Sequence, residues 1–224
     1  MAGSGRIGEN RKFKCQMREE KTNIEYTTPE FAYDTEVSKP TLLLHSCCGP
    51  CSTSVIEDLI PSYAITIFFY NPNITDRAEY EKRLLSQKNF IEEYNSKSNR
   101  HGNIALIEGV YEPDFFLREV KGLEGEPEGG ARCRKCFRMR LEKTAEATSM
   151  GGYSAFATTL SVSPHKNFRL ISETGRDICA RYGIGFIDRD FKKADGYLRS
   201  VELAKQYGLY RQSYCGCEFS KVEK

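Results

Sequence analysis

The feature of this chain that most constrains its fold is an alternation. Short apolar runs, each the length of a buried strand, take turns with longer stretches of helical period. "TLLLHS" (41–46) is the first run. "CCGPCSTSVIEDLI" follows it, with Pro50 suited to a helix start and Val55, Ile56, Leu59 and Ile60 apolar at helical spacing. "YAITIFFY" (63–70) is a second strand, and the segment to residue 97 is a loop and a long helix. Tyr80, Leu84, Ile91 and Tyr94 share one face of that helix, while Arg83 reads as a solvated charge. "NIALIEG" (103–109) is a third strand, 112–121 a short helix and 124–131 a loop. A helix over 132–152, stopped by Gly151 and Gly152, leads to a fourth strand at 153–160. A helix over 165–183 carries Phe168, Ile171, Gly175, Ile178 and Tyr182 on one stripe. A fifth strand at 184–188 and a last helix at 196–208 follow. This pattern predicts an α/β fold, a doubly wound parallel sheet of about five strands with helices on both faces. Sites in such sheets form where strands end and helices begin. Weight therefore falls on Cys47 and Cys48 after the first strand and on "TTLSVSPHKN" after the fourth.

The 224 residues allow one full domain with a small appendage. Residues 1–39, with Arg6, Arg11, Lys12, Lys14 and Arg18, read as a basic, poorly ordered extension, or alternatively as an electrostatic arm for RNA. Residues 40–224 read as a single α/β domain. Lys+Arg 33 against Asp+Glu 31 leaves a net charge of only +2, so a nucleic-acid partner must meet a local basic patch. No run is long enough to span a bilayer, and the N-terminus lacks an apolar signal core. The expectation is a cytoplasmic protein with no membrane partner. In that compartment the 9 cysteines are reduced thiols, metal ligands or redox catalysts rather than structural disulfides.

The cysteines are clustered. Cys15 and Cys179 stand alone and fit ordinary packing; the rest fall into "CCGPC" (Cys47, Cys48, Cys51), "CRKC" (Cys133, Cys136) and "CGC" (Cys215, Cys217). Cys133 and Cys136, three apart on a helix, face one side. Cys47 and Cys48 converge only at a strand-to-helix turn. Two plus two thiolates satisfy zinc or a 4Fe–4S cluster. Arg132, Arg134, Lys135, Arg138 and Arg140 are expected to lower the pKa of the neighbouring thiols. Cys51 is open to three roles: a further ligand, a ligand to a second metal, or a packed thiol. A disulfide across Cys215-Gly-Cys217 closes a small, strained ring and is easily reduced, which suits a pair that stores or relays two electrons. The other reading makes both further metal ligands.

"LLLHSCCGPCS", "FFYNPNI…EYEKR", "RCRKCFRMRLEKTA", "FATTLSVSPHKN" and "LAKQYGLYRQSYCGCEFS" together resemble the QueH-type epoxyqueuosine reductases, over roughly residues 40–220. The resemblance implies a Rossmann-like α/β domain related to the nucleotide-hydrolase (HUP-like) type, with the cysteine-rich tail packed at the sheet's C-terminal edge. It implies a cobalamin-independent, two-electron reduction of epoxyqueuosine to queuosine at the tRNA wobble position, the last step of that modification. It implies 4Fe–4S ligation by Cys47, Cys48, Cys133 and Cys136, and a redox-active pair in Cys215 and Cys217. Some members carry Asp where this chain has Cys51 and use that neighbourhood near an additional iron, so Cys51 is the candidate ligand of a second metal. The partners implied are the anticodon loop carrying epoxyqueuosine and an unidentified electron donor.

Further residues are candidates for substrate binding. Tyr70, Asn71 and Asn73 follow the second strand. Ser161, Ser163, His165 and Lys166 follow the fourth and suit a phosphate or sugar, or a helix cap. Arg211 and Tyr214, with Tyr210, mix charge and rings as single-stranded RNA binding does. His45, at a strand end, reads as packed rather than catalytic. A rival reading is a zinc-stabilised RNA-binding module without redox chemistry. An ATP-dependent tRNA-modifying enzyme is disfavoured, because SCCGPCS puts thiols where a phosphate-binding loop has serine and glycine.

Overall fold

The structure is a computed structural model that describes residues 39–97 and 103–221. The basic extension over 1–39, and Cys15 with it, lies outside the described residues but for Lys39. The elements run β1 (Thr41–His45), α1 (Gly49–Leu59), β2 (Ala64–Phe69), α2 (Arg77–Lys97), β3 (Ala105–Glu108), α3 (Pro113–Glu119), α4 (Ala131–Met150), β4 (Ala155–Thr158), α5 (Phe168–Tyr182), β5 (Gly185–Phe186) and α6 (Gly196–Gln206). Short 3-10 turns occupy Thr159–Val162 and Glu218–Ser220.

All strand pairings are parallel, in the order β3-β2-β1-β4-β5. Alternate side chains of each strand serve opposite faces. Leu42 and Leu44 of β1 join Ile65 and Ile67 of β2 and pack on Val55, Ile56 and Phe90 of α1 and α2. Leu43 points the other way with Phe68 and Tyr70. On that second face Phe156 of β4 meets Phe137 and Leu141 of α4 and Ile171 and Ile178 of α5. The sheet is therefore covered on both sides, as the alternation requires.

The strand order reverses at β1. The chain winds from β1 through β2 to β3, then returns to place β4 on the other side of β1. The loops that leave β1 and β4 thus splay apart above their common edge, and a crevice opens between them. Every strand is shorter than its apolar run, and at two of them the cause is plain. β4 ends at Thr158, whose hydroxyl accepts from Leu160 N–H and turns the chain into the 3-10 segment. β5 keeps only Gly185 and Phe186, because the Asp188 carboxylate turns to Ser172 Oγ (2.9 Å) and the Arg176 guanidinium.

Gly49 sets the first turn. A β-carbon there would lie 2.8 Å from the Ser86 carbonyl of α2, so α1 can start this close to α2 only at glycine. Gly49→Ala should force the two helices apart and destabilise the protein by about 1–3 kcal/mol, as overpacking does. Chemical denaturation measures it, and an unchanged midpoint would contradict the close approach.

Candidate redox and metal centre

The turn after β1 is built on a buried cation. Arg140 of α4 is 2% exposed. Its Nη2 donates to Asn71 Oδ1 at 2.6 Å, and its Nε lies 3.3 Å from His45 Nε2. His45, wholly buried, also meets the Thr158 hydroxyl at 2.8 Å and the Tyr70 carbonyl at 3.1 Å. Burial, and then the Arg140 charge, pull its pKa down to about 3, so the ring is neutral. His45 is a packed strut, as its place at a strand end suggested. No carboxylate among the described residues pairs with Arg140. Its charge instead acts on the Cys47 and Cys136 thiols. A buried guanidinium with neutral partners requires an anion beside it.

Cys47, grouped with Cys48 and Cys51, lies in the field of the Arg140 charge. The three sulfurs all lie within 4.8 Å of one another. Cys48 and Cys51 donate to Cys47, and this holds the Cys47 thiol well below the ordinary range. The same sharing pushes the Cys48 thiol up to about 12 and the Cys51 thiol well above its ordinary range. Cys47 Sγ also lies 3.8 Å from the Thr159 hydroxyl, across the mouth of the crevice. The tightest thiol set therefore includes Cys51, whose role its position one turn into a helix had left open.

Cys133 and Cys136 open α4, the first half-buried and the second buried beside Phe116, Val120 and Cys217. The basic run around them was expected to lower their pKa. Burial instead raises both, Cys136 to about 11. The reason is where the charges go. The Arg132 guanidinium caps the carbonyls of Leu123, Glu124 and Glu126, and Arg138 pairs with Asp177 on α5. Only Arg140 faces the Cys136 thiol strongly.

The chain's last segment crosses this edge. The Asn73 side chain donates to the Cys215 carbonyl at 3.1 Å, and Thr75 N–H donates to the Gly216 carbonyl at 3.3 Å. Gln212 Nε2 donates to Cys48 Sγ at 3.0 Å. Arg83 was expected to be a solvated charge; it is buried, with its guanidinium on the carbonyls of Tyr214 and Cys215 at 3.1 Å each. The physical reason is that the tail carries carbonyls, and these need donors once they are buried. Gly216 has φ +102°, and a β-carbon on it would lie 2.7 Å from Ile74 Cγ1. The residue between the two cysteines thus has to be glycine on two counts. Cys215 is half-buried and Cys217 buried, and neither is in a disulfide. A hydrogen bond from Cys217 is the largest influence on Cys215 and, with the contact to the Ser220 hydroxyl, outweighs burial and lowers its pKa to about 5. Cys217 is pushed up as the donor of that bond.

Two cavities meet at Cys215. A narrow one of about 20 Å³ is lined by Cys133, Cys136, Cys215, Cys217, Arg140 and Asn73. A wider one of about 290 Å³ is lined by Cys47, Cys51, Lys166, Tyr197, Arg211 and Cys215. His165 and Lys166 border both. Ser163 and Tyr214 also line the wide cavity. The other sequence-nominated residues sit elsewhere. Ser161 holds the Arg189–Phe191 backbone, Asn71 joins Arg140 to the Ser46 carbonyl, and Tyr70 reaches Glu112 at 2.6 Å. Sequence reasoning missed Gln212, Tyr197 and the roles of Arg140 and Arg83. Arg83, Arg140 and Gln212 each lay in a quoted stretch, EYEKR, RCRKCFRMRLEKTA and LAKQYGLYRQSYCGCEFS; Tyr197 had no signal.

Two outcomes follow. In metal-free, reduced protein, alkylation of Cys215 by iodoacetamide should stay fast from neutral pH down to about pH 6 and fall through about pH 5, because the thiolate reacts and its pKa is low. Cys217→Ala should move that midpoint up towards the ordinary thiol range near about 8.5. Peptide mass spectrometry reads both, and a wild-type midpoint already in that range would contradict the hydrogen bond. Gly216→Ala should leave the fold intact while making the tail sensitive to protease. Equal cleavage rates in variant and wild type would contradict the need for glycine.

The model of the family described as epoxyqueuosine reductase QueH matches residues 42–223. The chain is 42% identical to epoxyqueuosine reductase QueH of Streptococcus pyogenes over 188 residues, covering 84% of this chain and 73% of that protein. It is 39% identical to the protein of the same name from Staphylococcus epidermidis, over 94% of this chain and 89% of the relative. The Thermotoga maritima protein of that name is 35% identical over 82% of this chain and 92% of its own length. A chain so matched over nearly all its described residues, with its thiols gathered at the switch point of the sheet, belongs to the QueH epoxyqueuosine reductase family.

Proposed function

We propose that this chain is an oxidoreductase that reduces epoxyqueuosine to queuosine in tRNA, acting on the anticodon wobble nucleotide in the cytoplasm. The observation that carries the reading is the shared wall at Cys215. One thiol borders both the narrow cavity of Cys133 and Cys136 and the wide cavity of Cys47 and Cys51. The reaction balances on a dithiol. Two electrons and two protons enter, both carbon–oxygen bonds of the epoxide break, a carbon–carbon double bond forms, and the oxygen leaves as water. Oxidising Cys215 and Cys217 to a disulfide releases two electrons and, with Cys215 already a thiolate, the one proton held on Cys217; the second proton comes from solvent. An external thiol or two-electron donor then restores the pair.

Cys47, Cys48, Cys133 and Cys136 would hold a 4Fe–4S cluster, and Cys51 an additional iron. The surroundings fit a negatively charged thiolate group. Arg140 is buried with neutral partners, and Lys166 stays protonated because the thiolates outweigh its burial. Buried Asn73 Oδ1 and Gln212 Oε1 have no hydrogen-bond partner and stand beside the thiols. Such a cluster, when bound, transfers single electrons and can offer an open iron position as a Lewis acid.

The chain's own residues do the rest. Tyr197, Arg211 and Tyr214 wall the wide cavity and suit a base splayed out of a single-stranded loop. Ser163, His165 and Lys166 enter from the loop after β4 and suit the ribose or a phosphate. Cys215, the thiolate of the pair, and Cys217, which holds the proton, are the catalytic residues.

The test is turnover of epoxyqueuosine-containing tRNA, followed by nucleoside mass spectrometry. With a chemical reductant the wild-type chain should convert substrate over many turnovers. Cys215→Ser and Cys217→Ser should each lose at least about a hundredfold, in line with loss of a covalent redox group. Full multiple-turnover activity in both variants would overturn the assignment of the pair.

A further inference from the structure

Glu79 and Arg83 form an ion pair inside the protein that the reaction chemistry does not use. Their side chains are 9% and 1% exposed. Arg83 Nε donates to Glu79 Oε1 at 2.7 Å. Lying four apart on α2, the two residues share one face of the helix. A buried ion pair seldom stabilises a fold better than apolar side chains would, so its upkeep asks for a reason. The pair's side-chain hydrogen bonds to other residues run to the tail, and the Arg83 guanidinium also borders the wide cavity. Arg83 Nη1 donates to the Cys215 carbonyl and Nη2 to the Tyr214 carbonyl, each at 3.1 Å. The guanidinium lies 5.3 Å from the centre of the Tyr214 ring. The Tyr210 hydroxyl donates to Glu79 Oε2 at 2.7 Å. Asn73 adds a second donor to the Cys215 carbonyl.

We propose that the Glu79–Arg83 pair is a positioning device for Cys215 and Cys217, a clamp that fixes the backbone of the pair in its dithiol geometry and so sets how readily it oxidises. The inference rests on the reading above that these two cysteines exchange electrons. Closing a disulfide across one glycine draws Cys215 and Cys217 into a small ring and turns the carbonyls that flank Cys215. Those carbonyls are the ones Arg83 holds, through charge-assisted bonds from a planar fork. Oxidation has to strain or break them; reduction restores them. The clamp therefore favours the dithiol, and stabilising the reduced form makes a pair easier to reduce. Its benefit to turnover is prompt recovery of the dithiol after each cycle.

The experiment is a thiol–disulfide titration of the full chain, purified without oxygen and equilibrated in graded mixtures of oxidised and reduced dithiothreitol. Differential alkylation and peptide mass spectrometry give the fraction of Cys215–Cys217 disulfide. Circular dichroism and iron content check that each variant is otherwise intact. Arg83→Gln should shift the equilibrium towards disulfide by about tenfold or more, the scale of a lost charged hydrogen bond. Arg83→Lys keeps the charge but not the fork and should shift it part of the way. Tyr210→Phe, which removes one contact at the surface of the clamp, should give a small shift of the same sign. Equal equilibria in wild type, Arg83→Lys and Tyr210→Phe would overturn the clamp even if Arg83→Gln fails to fold. A wild-type chain that forms no reversible Cys215–Cys217 disulfide would overturn the redox reading beneath it, which is a different result.

Discussion

The centre of this structure depends on one electrostatic constraint, the burial of Arg140 with neutral partners. Asn71 and His45 orient the guanidinium, and burial with the Arg140 charge keeps His45 neutral. A cation so placed is tolerable only if negative charge stands next to it. The thiols after β1 and at the start of α4 are what surround it. The sheet topology makes this possible. Reversal of strand order at β1 leaves a crevice above the ends of β1 and β4, and α4 crosses it with Arg140 and the two cysteines of its first turns. Fold and chemistry thus meet at a switch point, where open parallel sheets place their ligands.

The tail completes the site, and its attachment explains its composition. A segment without strand or helix buries carbonyls that nothing local can satisfy. Arg83, Asn73 and Thr75 answer them from outside. Gly216 lets the backbone come within reach of Ile74 and Arg83, which a side chain would prevent. Cys217, far from being an exposed end, is packed against Phe116, Val120 and Cys136. The Cys-Gly-Cys unit is therefore held between the two thiol groups rather than dangling beside them.

Much of this was legible in the sequence, and the reasons are physical. Strands buried on both faces show as unbroken apolar runs, so β1, β2 and the helices around them could be read off within a residue or two. β5, read as 184–188, keeps only Gly185 and Phe186, because Asp188 finds its partners on α5, a tertiary effect. The clustering of cysteines survives any fold, so their grouping was plain. The convergence of Cys51 with Cys47 and Cys48 was not, since it depends on the pitch of the first helical turn. Charges were the least legible. Arg83, Arg132 and Arg140 look alike in sequence, yet one clamps a tail, one caps a loop and one stands over thiols. Only the fold decides which carbonyls and sulfurs each will meet, and so the expected lowering of the Cys133 and Cys136 pKa values gave way to burial.

The central claim is that these thiols form one redox metal centre. The most direct measurement is an anaerobic ultraviolet–visible spectrum of the purified chain with iron and sulfide counts. The account predicts a brown protein with roughly four irons and matching sulfide per chain, and iron above that number if Cys51 holds a further ion. A colourless protein that carries zinc after strictly anaerobic preparation would contradict it. That result would point to a zinc-stabilised RNA-binding module and leave the clamped Cys-Gly-Cys pair without a role.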